Sequence, residues 1–244
     1  MQNNESMSLI SKQRFSTYEK LFVQIVPSHA ISEVERRVLF YMDIQGIYSH
    51  FFIPVQVLEV TLRNRIHNSI SVYYGTNQWL AKLLKEKTCS TRTKNMFNTT
   101  KNSFDKKNAR KGVPNKYMTP EDYVGALNFG FWVELMNKDY RTFKFWQIHI
   151  NDVFPNKKNV KHKAIFHTLQ RANKIRNRLY HYEPLWNTSK NFADIDKFCD
   201  AIEEQYSIIV NLIRDCSITQ DDLIEDHKFY FKLAIEEFKT SYRA

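Results

Sequence analysis

The chain has 244 residues, 43% of them hydrophobic and 25% charged, with 18 Phe and 13 Tyr, so it can bury a sizeable core and is not globally disordered. Only five glycines occur, and none belongs to a Walker or dinucleotide-binding fingerprint, which argues against a nucleotide-driven motor or a dehydrogenase. The net charge of +10 favours an acidic partner.

The first eleven residues and the cysteines indicate in which cellular compartment we expect the protein. Residues 1–11 are polar and lack the apolar run of a signal peptide, and no stretch of about 18 uninterrupted apolar residues occurs in the sequence. Cys89, Cys199 and Cys216 are odd in number and form no Cys-x-x-Cys pair, so neither a disulfide framework nor a zinc ribbon is indicated. We therefore expect a cytoplasmic protein with no membrane span and no cofactor.

Two helices are predicted in the first third of the chain. Ser32 followed by Glu35 has the pattern of a capping box and predicts a helix that runs to Tyr48. A second helix is predicted from Pro54 to Gly75, because a glycine is common at the position where a helix ends. The apolar residues of this segment are spaced three and four apart, as on one face of a helix: Val55, Leu58, Leu62, Ile66, Ile70 and Tyr73.

A strongly basic segment follows at residues 85–118. It holds ten Lys and Arg against Glu86 and Asp105, a net charge of +8, and is rich in Asn, Thr and Ser, with Gly112 and Pro114 near its end. We interpret it as a loop-rich insertion within one domain spanning residues 1–244. Such clustered cations are typical of RNA binding, and the best candidates for contacts are Lys106, Lys107, Arg110 and Lys111. The alternative is a solvated loop without a ligand.

The remaining predicted elements are also helical. Thr119-Pro120-Glu121-Asp122 supplies an N-cap, a proline at the first helical position and acids in the first turn, and Thr219-Gln220-Asp221-Asp222 marks another start. Apolar spacing predicts further helices over residues 165–179, 195–213 and 223–238. No run alternates with the period of a strand. The sequence therefore predicts an all-α fold.

Residues 174–186 carry the most informative pattern. On a helical wheel of about 100° per residue, Arg176 falls inside an apolar arc made of Ile165, Leu169, Ala172, Ile175 and Leu179. Asn173, Asn177 and His181 are spaced four apart and form a ridge beside that arginine. Because the residue before Pro184 disfavours helical geometry, His181 should lie in the last turn, where the helix dipole stabilises a positive charge.

These residue types suit cleavage of a phosphodiester. An imidazole can move protons near neutral pH, and a guanidinium can clamp a phosphate whose charge grows in the transition state. RNA supplies its own nucleophile, the 2′-hydroxyl. The alternative is structural: Arg176 pairs with a buried acid and His181 caps a helix.

The pattern Arg-Asn-x-x-x-His, at Arg176, Asn177 and His181, resembles the Arg-x4–6-His signature of the HEPN ribonucleases. The run His-Tyr-Glu-Pro-Leu-Trp at residues 181–186 is similar to the form of this signature in the Abi-like (abortive infection) family. Further strings resemble Abi-like landmarks in the expected order, so that the likeness spans roughly residues 17 to 186; they lie at residues 18–21, 35–41, 58–64 and 128–132.

The resemblance implies a HEPN-type helical bundle that works as a metal-independent endoribonuclease, frequently as a homodimer. Arg176 and His181 would be the catalytic pair and Asn177 a polar residue that orients them. Cleavage by 2′-hydroxyl attack would leave 2′,3′-cyclic phosphate and 5′-hydroxyl ends. The family context implies phage defence or a toxin restrained by an antitoxin, either a small RNA or a protein.

A second ridge in the first half of the chain offers weaker candidates. Glu59, Arg63 and His67 lie four apart on the helix predicted to start at Pro54, but the Arg-to-His spacing is one residue short of the HEPN signature. We interpret Arg63 and His67 as structural or RNA-contacting residues, and add Asn173 and Arg178 to the RNA-contact candidates. No metal site is predicted, since the eight His form no recognised ligand spacing.

Two other functions remain open from the sequence. The chain can bind RNA without cleaving it, with the motif and the basic segment acting as a phosphate clamp. It can also be a helical protein-interaction module, in which the HEPN-like helix mediates dimerisation and the positive charge serves solubility; this predicts negligible affinity for nucleic acid at physiological salt.

Overall fold

The computed structural model describes residues 12–26, 33–159, 161–217 and 221–243. Its helices, in chain order, are α1 (Lys12–Ile25), α2 (Glu33–Ser49), α3 (Phe52–Tyr74), α4 (Trp79–Leu83), α5 (Thr91–Arg110), α6 (Pro120–Ala126), α7 (Phe129–Glu134), α8 (Lys144–Val153), α9 (His162–Tyr180), α10 (Ile195–Cys216) and α11 (Asp221–Tyr242). A 3₁₀ turn at Lys138–Tyr140 lies between α7 and α8. Helix makes up 75% of the structure and the described residues contain no strand, which confirms the all-α, helical-bundle class.

Contacts between Cα atoms divide the chain into two compact units. Unit 1 comprises Met1–Gln56, Lys174–Val210 and Asp221–Ala244, and unit 2 comprises Val57–Asn173 and Asn211–Gln220. Helices α3, α9 and α10 therefore contribute residues to both units. The single domain over residues 1–244 and the HEPN type of the bundle stay predictions.

Unit 1 is built around aromatic side chains. Helix α2 packs against α1 and α11. The rings of Tyr206 and Phe231 are stacked with their centroids 3.8 Å apart, and Phe51 meets each of them edge-on. Edge-to-face and offset pairs add to the free energy that burial of these large rings already contributes. Tyr206 of α10 and Phe231 of α11 thus belong to the core of unit 1.

Unit 2 has its own core around a buried tryptophan. Trp79 is fully buried, and its ring lies against those of Trp132 and Tyr123. Helix α5 packs against α6 and α7. The Tyr123 hydroxyl donates a hydrogen bond to the carbonyl of Asn77 at 2.5 Å, which ties α6 to the segment before α4.

The helix ends predicted from the sequence are confirmed where the structure describes them. Helix α3 ends before Gly75, whose φ of +64° is the left-handed geometry of a C-terminal glycine. Thr119 caps α6 in a capping box with Asp122, whose carboxylate accepts the Thr119 N–H. Ser32 of the predicted box before α2 lies outside the described residues. So do Thr219 and Gln220 before α11.

The loop-rich character predicted for residues 85–118 is wrong, because α5 occupies 20 of these residues. Ser90 caps the helix by accepting the Thr93 N–H at 3.1 Å, and Gly112 ends it with a φ of +75°. The start of the helix is also held from outside: Tyr140 donates to the Thr93 hydroxyl at 2.7 Å and Ser90 to the buried Glu134 carboxylate at 3.2 Å. These distant partners overcome the weak helix propensity of a segment rich in Asn, Thr and Ser.

Among the residues that the structure describes, no helix is both long and apolar enough to cross a membrane.

Two buried tyrosines of unit 1 provide a matched test of the core. The Tyr48 hydroxyl accepts the backbone N–H of Leu185 at 2.9 Å, so we expect Tyr48→Phe to leave a buried donor unpaired and to lower the free energy of unfolding by about 1–3 kcal/mol. The Tyr206 hydroxyl is buried without a hydrogen-bond partner among the described residues, and burial raises the pKa of this tyrosine to about 12. Tyr206→Phe should therefore leave stability unchanged or raise it. Urea denaturation measures the free energy of unfolding of both variants. An equal decrease in this free energy for Tyr48→Phe and Tyr206→Phe would contradict the prediction.

Candidate functional site

The candidate site lies where α9 ends. Glu183 N–H donates to the carbonyl of Arg178 at 2.8 Å and Tyr182 N–H to that of Leu179 at 3.1 Å, the two bonds of a Schellman cap. Tyr182 has a φ of +56°, a left-handed geometry that a non-glycine residue adopts at a cost. The cap makes His181 the residue directly after α9, at the C-cap position, and its N–H donates to the Asn177 carbonyl at 3.0 Å, within the last hydrogen-bonded turn. The predicted position in the last turn is confirmed.

An arginine from α1 closes this helix end. Arg14 donates from its guanidinium to the carbonyl of His181 at 3.2 Å, and the same group lies 5.9 Å from the centroid of the Tyr182 ring. A cation at the C-terminus of a helix satisfies an unpaired carbonyl and interacts favourably with the helix dipole. His181 is thus positioned through its main chain, while its side chain is exposed.

Arg176 lies one turn before the cap and is half-buried. Its guanidinium stacks over the Tyr180 ring at 4.4 Å from the centroid and donates to the side-chain carbonyl of Asn177 at 3.4 Å. Tyr180 in turn meets Phe52 edge-on, with the centroids 5.7 Å apart. The arginine is therefore held by an aromatic shelf and an amide. A guanidinium held in this way is a planar, permanently charged group of the kind that recognises phosphates.

The segment that follows the cap is also anchored. Arg178 donates to the carbonyl of Trp186 at 2.9 Å, and the buried ring of Trp186 lies edge-on between Tyr18 and Phe198. Together with the bond from Leu185 to Tyr48, these contacts hold both sides of the His181 cap. Arg178 thus has a structural role, and its contact with RNA stays a prediction.

The structure brings together some of the predicted residues and not others. Arg176 contacts Asn177, and the apolar arc beside them is buried as expected, at Ile165, Leu169, Ala172, Ile175 and Leu179. Arg176 and His181, five residues apart, lie about 140° apart around the helix axis. The two residues therefore leave the axis of α9 in different directions, and the guanidinium contacts Asn177, which lies between them on the helical wheel.

The second ridge belongs to unit 2, on α3. His67 is half-buried, and its Nδ1 accepts the indole N–H of Trp79 at 2.9 Å. Burial lowers the pKa of His67, against a smaller opposing effect of Glu121. The Nε of Arg63 is buried without a hydrogen-bond partner among the described residues. His67 thus supports the Trp79 core, which is one of the two roles predicted for it, and its contact with RNA stays a prediction.

The other predicted RNA-contact residues also lie in unit 2. Lys106, Lys107, Arg110 and Lys111 are exposed in the last turns of α5 and at its C-cap. Asn173 is half-buried, and its side-chain nitrogen lies next to Gly130, 3.7 Å from the position that a Cβ on this glycine would occupy. The structure places the four cations where a phosphate can reach them.

Two residues at the site were missed in the sequence. Tyr180 follows Arg176 by four positions, so its place beside the guanidinium follows from helical spacing. Arg14 has no such signal, because it lies 167 residues before its partner His181.

Comparisons of this chain with protein-family models, curated proteins and solved structures give no match.

We expect Arg14→Ala to loosen the end of α9, because the His181 carbonyl loses its side-chain donor. Hydrogen exchange of the amides at Tyr182 and Glu183 should become faster, while amides in the middle of α9 keep their rates. Lys12→Ala, an exposed substitution on the same helix, is the control. Equal exchange in both variants would show that Arg14 does not hold the cap.

We expect His67 to make stability depend on pH. Its pKa in the folded state is lowered below the unfolded value of about 6.5, so the folded state resists protonation and stability is lost as the pH falls below that value. His67→Gln, which keeps an acceptor for Trp79, should reduce the loss of unfolding free energy between pH 7 and pH 5. His167→Gln, at an exposed histidine, should retain the wild-type slope. Identical slopes for all three proteins would refute this.

Proposed function

We propose that this chain is a metal-independent endoribonuclease of the HEPN class, similar to the Abi-like proteins. The observation that carries the proposal is the end of α9, where an exposed histidine caps a helix that also holds a half-buried arginine. A histidine that only capped the helix through its main chain would not need an imidazole that faces solvent. The Arg-Asn-x-x-x-His pattern supports the same function.

In the proposed reaction, His181 accepts the proton of a ribose 2′-hydroxyl. The 2′-oxygen then bonds to the adjacent phosphorus, and the bond from phosphorus to the 5′-oxygen breaks. The leaving oxygen takes a proton from a protonated imidazole or from water. The products are a 2′,3′-cyclic phosphate and a 5′-hydroxyl, with no change in oxidation state. An imidazole suits this role because it exchanges protons near neutral pH.

Arg176 would stabilise the charge that develops on the phosphoryl oxygens. The Tyr180 ring and the Asn177 side chain hold its guanidinium in place, so little side-chain entropy remains to be lost when it binds the phosphate. Asn177 acts here as a positioning residue. It follows that Arg176→Lys, which keeps the charge but loses the planar stack, is not a conservative change.

A homodimer is part of the proposal. Since Arg176 and His181 of one copy diverge by about 140° around α9, a cleft between two motif helices would let groups from both copies face one phosphate. A two-fold arrangement supplies such a cleft with one self-complementary surface. A role in phage defence or as a toxin in the cytoplasm, with an RNA or protein antitoxin, belongs to the same proposal and rests on the resemblance.

A second candidate function is RNA binding without cleavage. The observation that favours it is the basic end of α5, where Lys106, Lys107, Arg110 and Lys111 are exposed to solvent and can bind phosphates. Binding through these side chains releases counterions and weakens steeply with salt.

Cleavage of total cellular RNA in EDTA, followed by analysis of the new ends, tests the proposal. Wild type should leave cyclic phosphate and 5′-hydroxyl ends. We expect His181→Ala to lower the rate by at least about 100-fold, the lower end of what a general acid or base contributes. Arg176→Ala should cause a comparable loss, and Arg176→Lys should recover only part of the activity.

His167→Ala is the matched control, since it removes an exposed histidine from the same helix and should leave the rate unchanged. Products with 3′-hydroxyl ends, or equal rates in the His181 and His167 variants, would refute the nuclease assignment. RNA bound but not cleaved by wild type would support the second candidate instead.

A further inference from the structure

Unit 2 contains a cavity that the candidate site does not use. It lies between α4, α5 and residues 114–118, and has a volume of about 690 Å³. This is within the range of roughly 300–1,000 Å³ typical of pockets for small ligands. The cavity is large enough for a nucleobase and part of its sugar.

The walls of the cavity are mainly apolar. Leu84 and Ala81 line it on the α4 side, and Phe97 and Ala109 line it along one stripe of α5. Tyr117 also lines the cavity and is 69% exposed. An exposed ring beside an apolar cavity is a suitable platform for stacking a flat ligand.

The rim of the cavity carries lysines. The Lys101 ammonium pairs with the Asp105 carboxylate at 2.6 Å, and that of Lys116 lies 3.8 Å from the Asp122 carboxylate. Lys106 has no acidic partner among the residues that the structure describes, and all three lysines line the cavity. An apolar hole with a cationic rim is complementary to a ligand with a flat apolar part and an anionic part.

Lys107, Arg110 and Lys111 continue this charge along α5 and beyond the cavity. A free mononucleotide would reach only the rim, whereas a chain of phosphates can follow the cations past it. Duplex RNA cannot use the cavity, since its bases are paired and stacked. The extended charge therefore favours a single strand.

We propose that the cavity holds one unstacked base of single-stranded RNA, stacked on Tyr117, with the adjoining phosphates on Lys106 and the cations that follow it. This inference rests on the proposed function, which makes RNA the ligand. It adds that an unstacked base is the part of the strand that is recognised, and that the cavity is where the base binds. Recognition of this kind is the usual means by which proteins select single-stranded RNA.

The test measures binding without cleavage. The probe is a fluorescent oligomer of about twelve 2′-O-methyl nucleotides, which lacks the 2′ nucleophile, and its comparison is an abasic oligomer of equal length and charge. Wild type should bind the probe at least about fivefold more tightly than the abasic oligomer, the lower end of what stacking of one base contributes.

Ala109→Trp places an indole inside the cavity and should abolish the preference for the base-bearing oligomer. Asn102→Trp adds the same side chain at an exposed position of α5 outside the cavity, and should keep the preference. Ala81→Trp fills the cavity from the α4 side and should behave like Ala109→Trp. Circular dichroism identifies any variant that does not fold, and the remaining filling variant then decides the test.

An unchanged preference in a folded filling variant overturns the proposal, as does equal binding of the two oligomers by wild type. Displacement of the probe by a free mononucleotide with the affinity of the oligomer also overturns it, in favour of a site for small nucleotides. None of these results depends on cleavage. Loss of activity in His181→Ala together with an absent base preference would leave the nuclease proposal standing and remove only this one.

Discussion

The backbone conformation of Tyr182 is the constraint on which the candidate site depends. A residue with a Cβ at φ +56° costs on the order of 1 kcal/mol relative to ordinary geometry, and it persists only where its surroundings require it. Here two main-chain bonds of the cap, the guanidinium of Arg14 and the anchored Trp186 all require it. Without this reversal the chain would not leave α9 directly after His181, and the imidazole would lie within a helix rather than at its end.

Two other helices end in the same way with a glycine. Gly75 after α3 and Gly112 after α5 have φ values of +64° and +75°, and each glycine together with the residue after it donates the same pair of bonds. Glycine adopts this geometry without steric cost, so these ends need no outside support. The end of α9 differs because a tyrosine occupies the position, and its ring faces the Arg14 guanidinium. Backbone strain of this kind, here at Tyr182, is found most often at functional sites, where a fixed geometry is needed even at a cost in stability.

The two units divide the chemistry that the proposals require. Unit 1 holds Arg176, Asn177 and His181, a set able to move protons and stabilise phosphate charge. Unit 2 holds the cations of α5 and the cavity beneath them, which are suited to holding a strand. Binding and chemistry would then rest on different side chains, so that each can be removed by substitution without the other.

The sequence by itself determined the helical class, most helix positions, and the place of His181 in the last turn of α9. Each of these follows from relations within about four residues, such as apolar spacing, Thr119 as a cap and Pro184 as a stop. Tertiary structure decided that the basic segment forms α5, because Tyr140 and Glu134, which are distant in sequence, hydrogen-bond to Thr93 and Ser90 at the start of this helix. It also decided that Arg14 closes the cap of α9 and that an apolar cavity lies beside the cations. Local patterns do not specify such contacts, since they depend on which surfaces are packed together once the chain has folded.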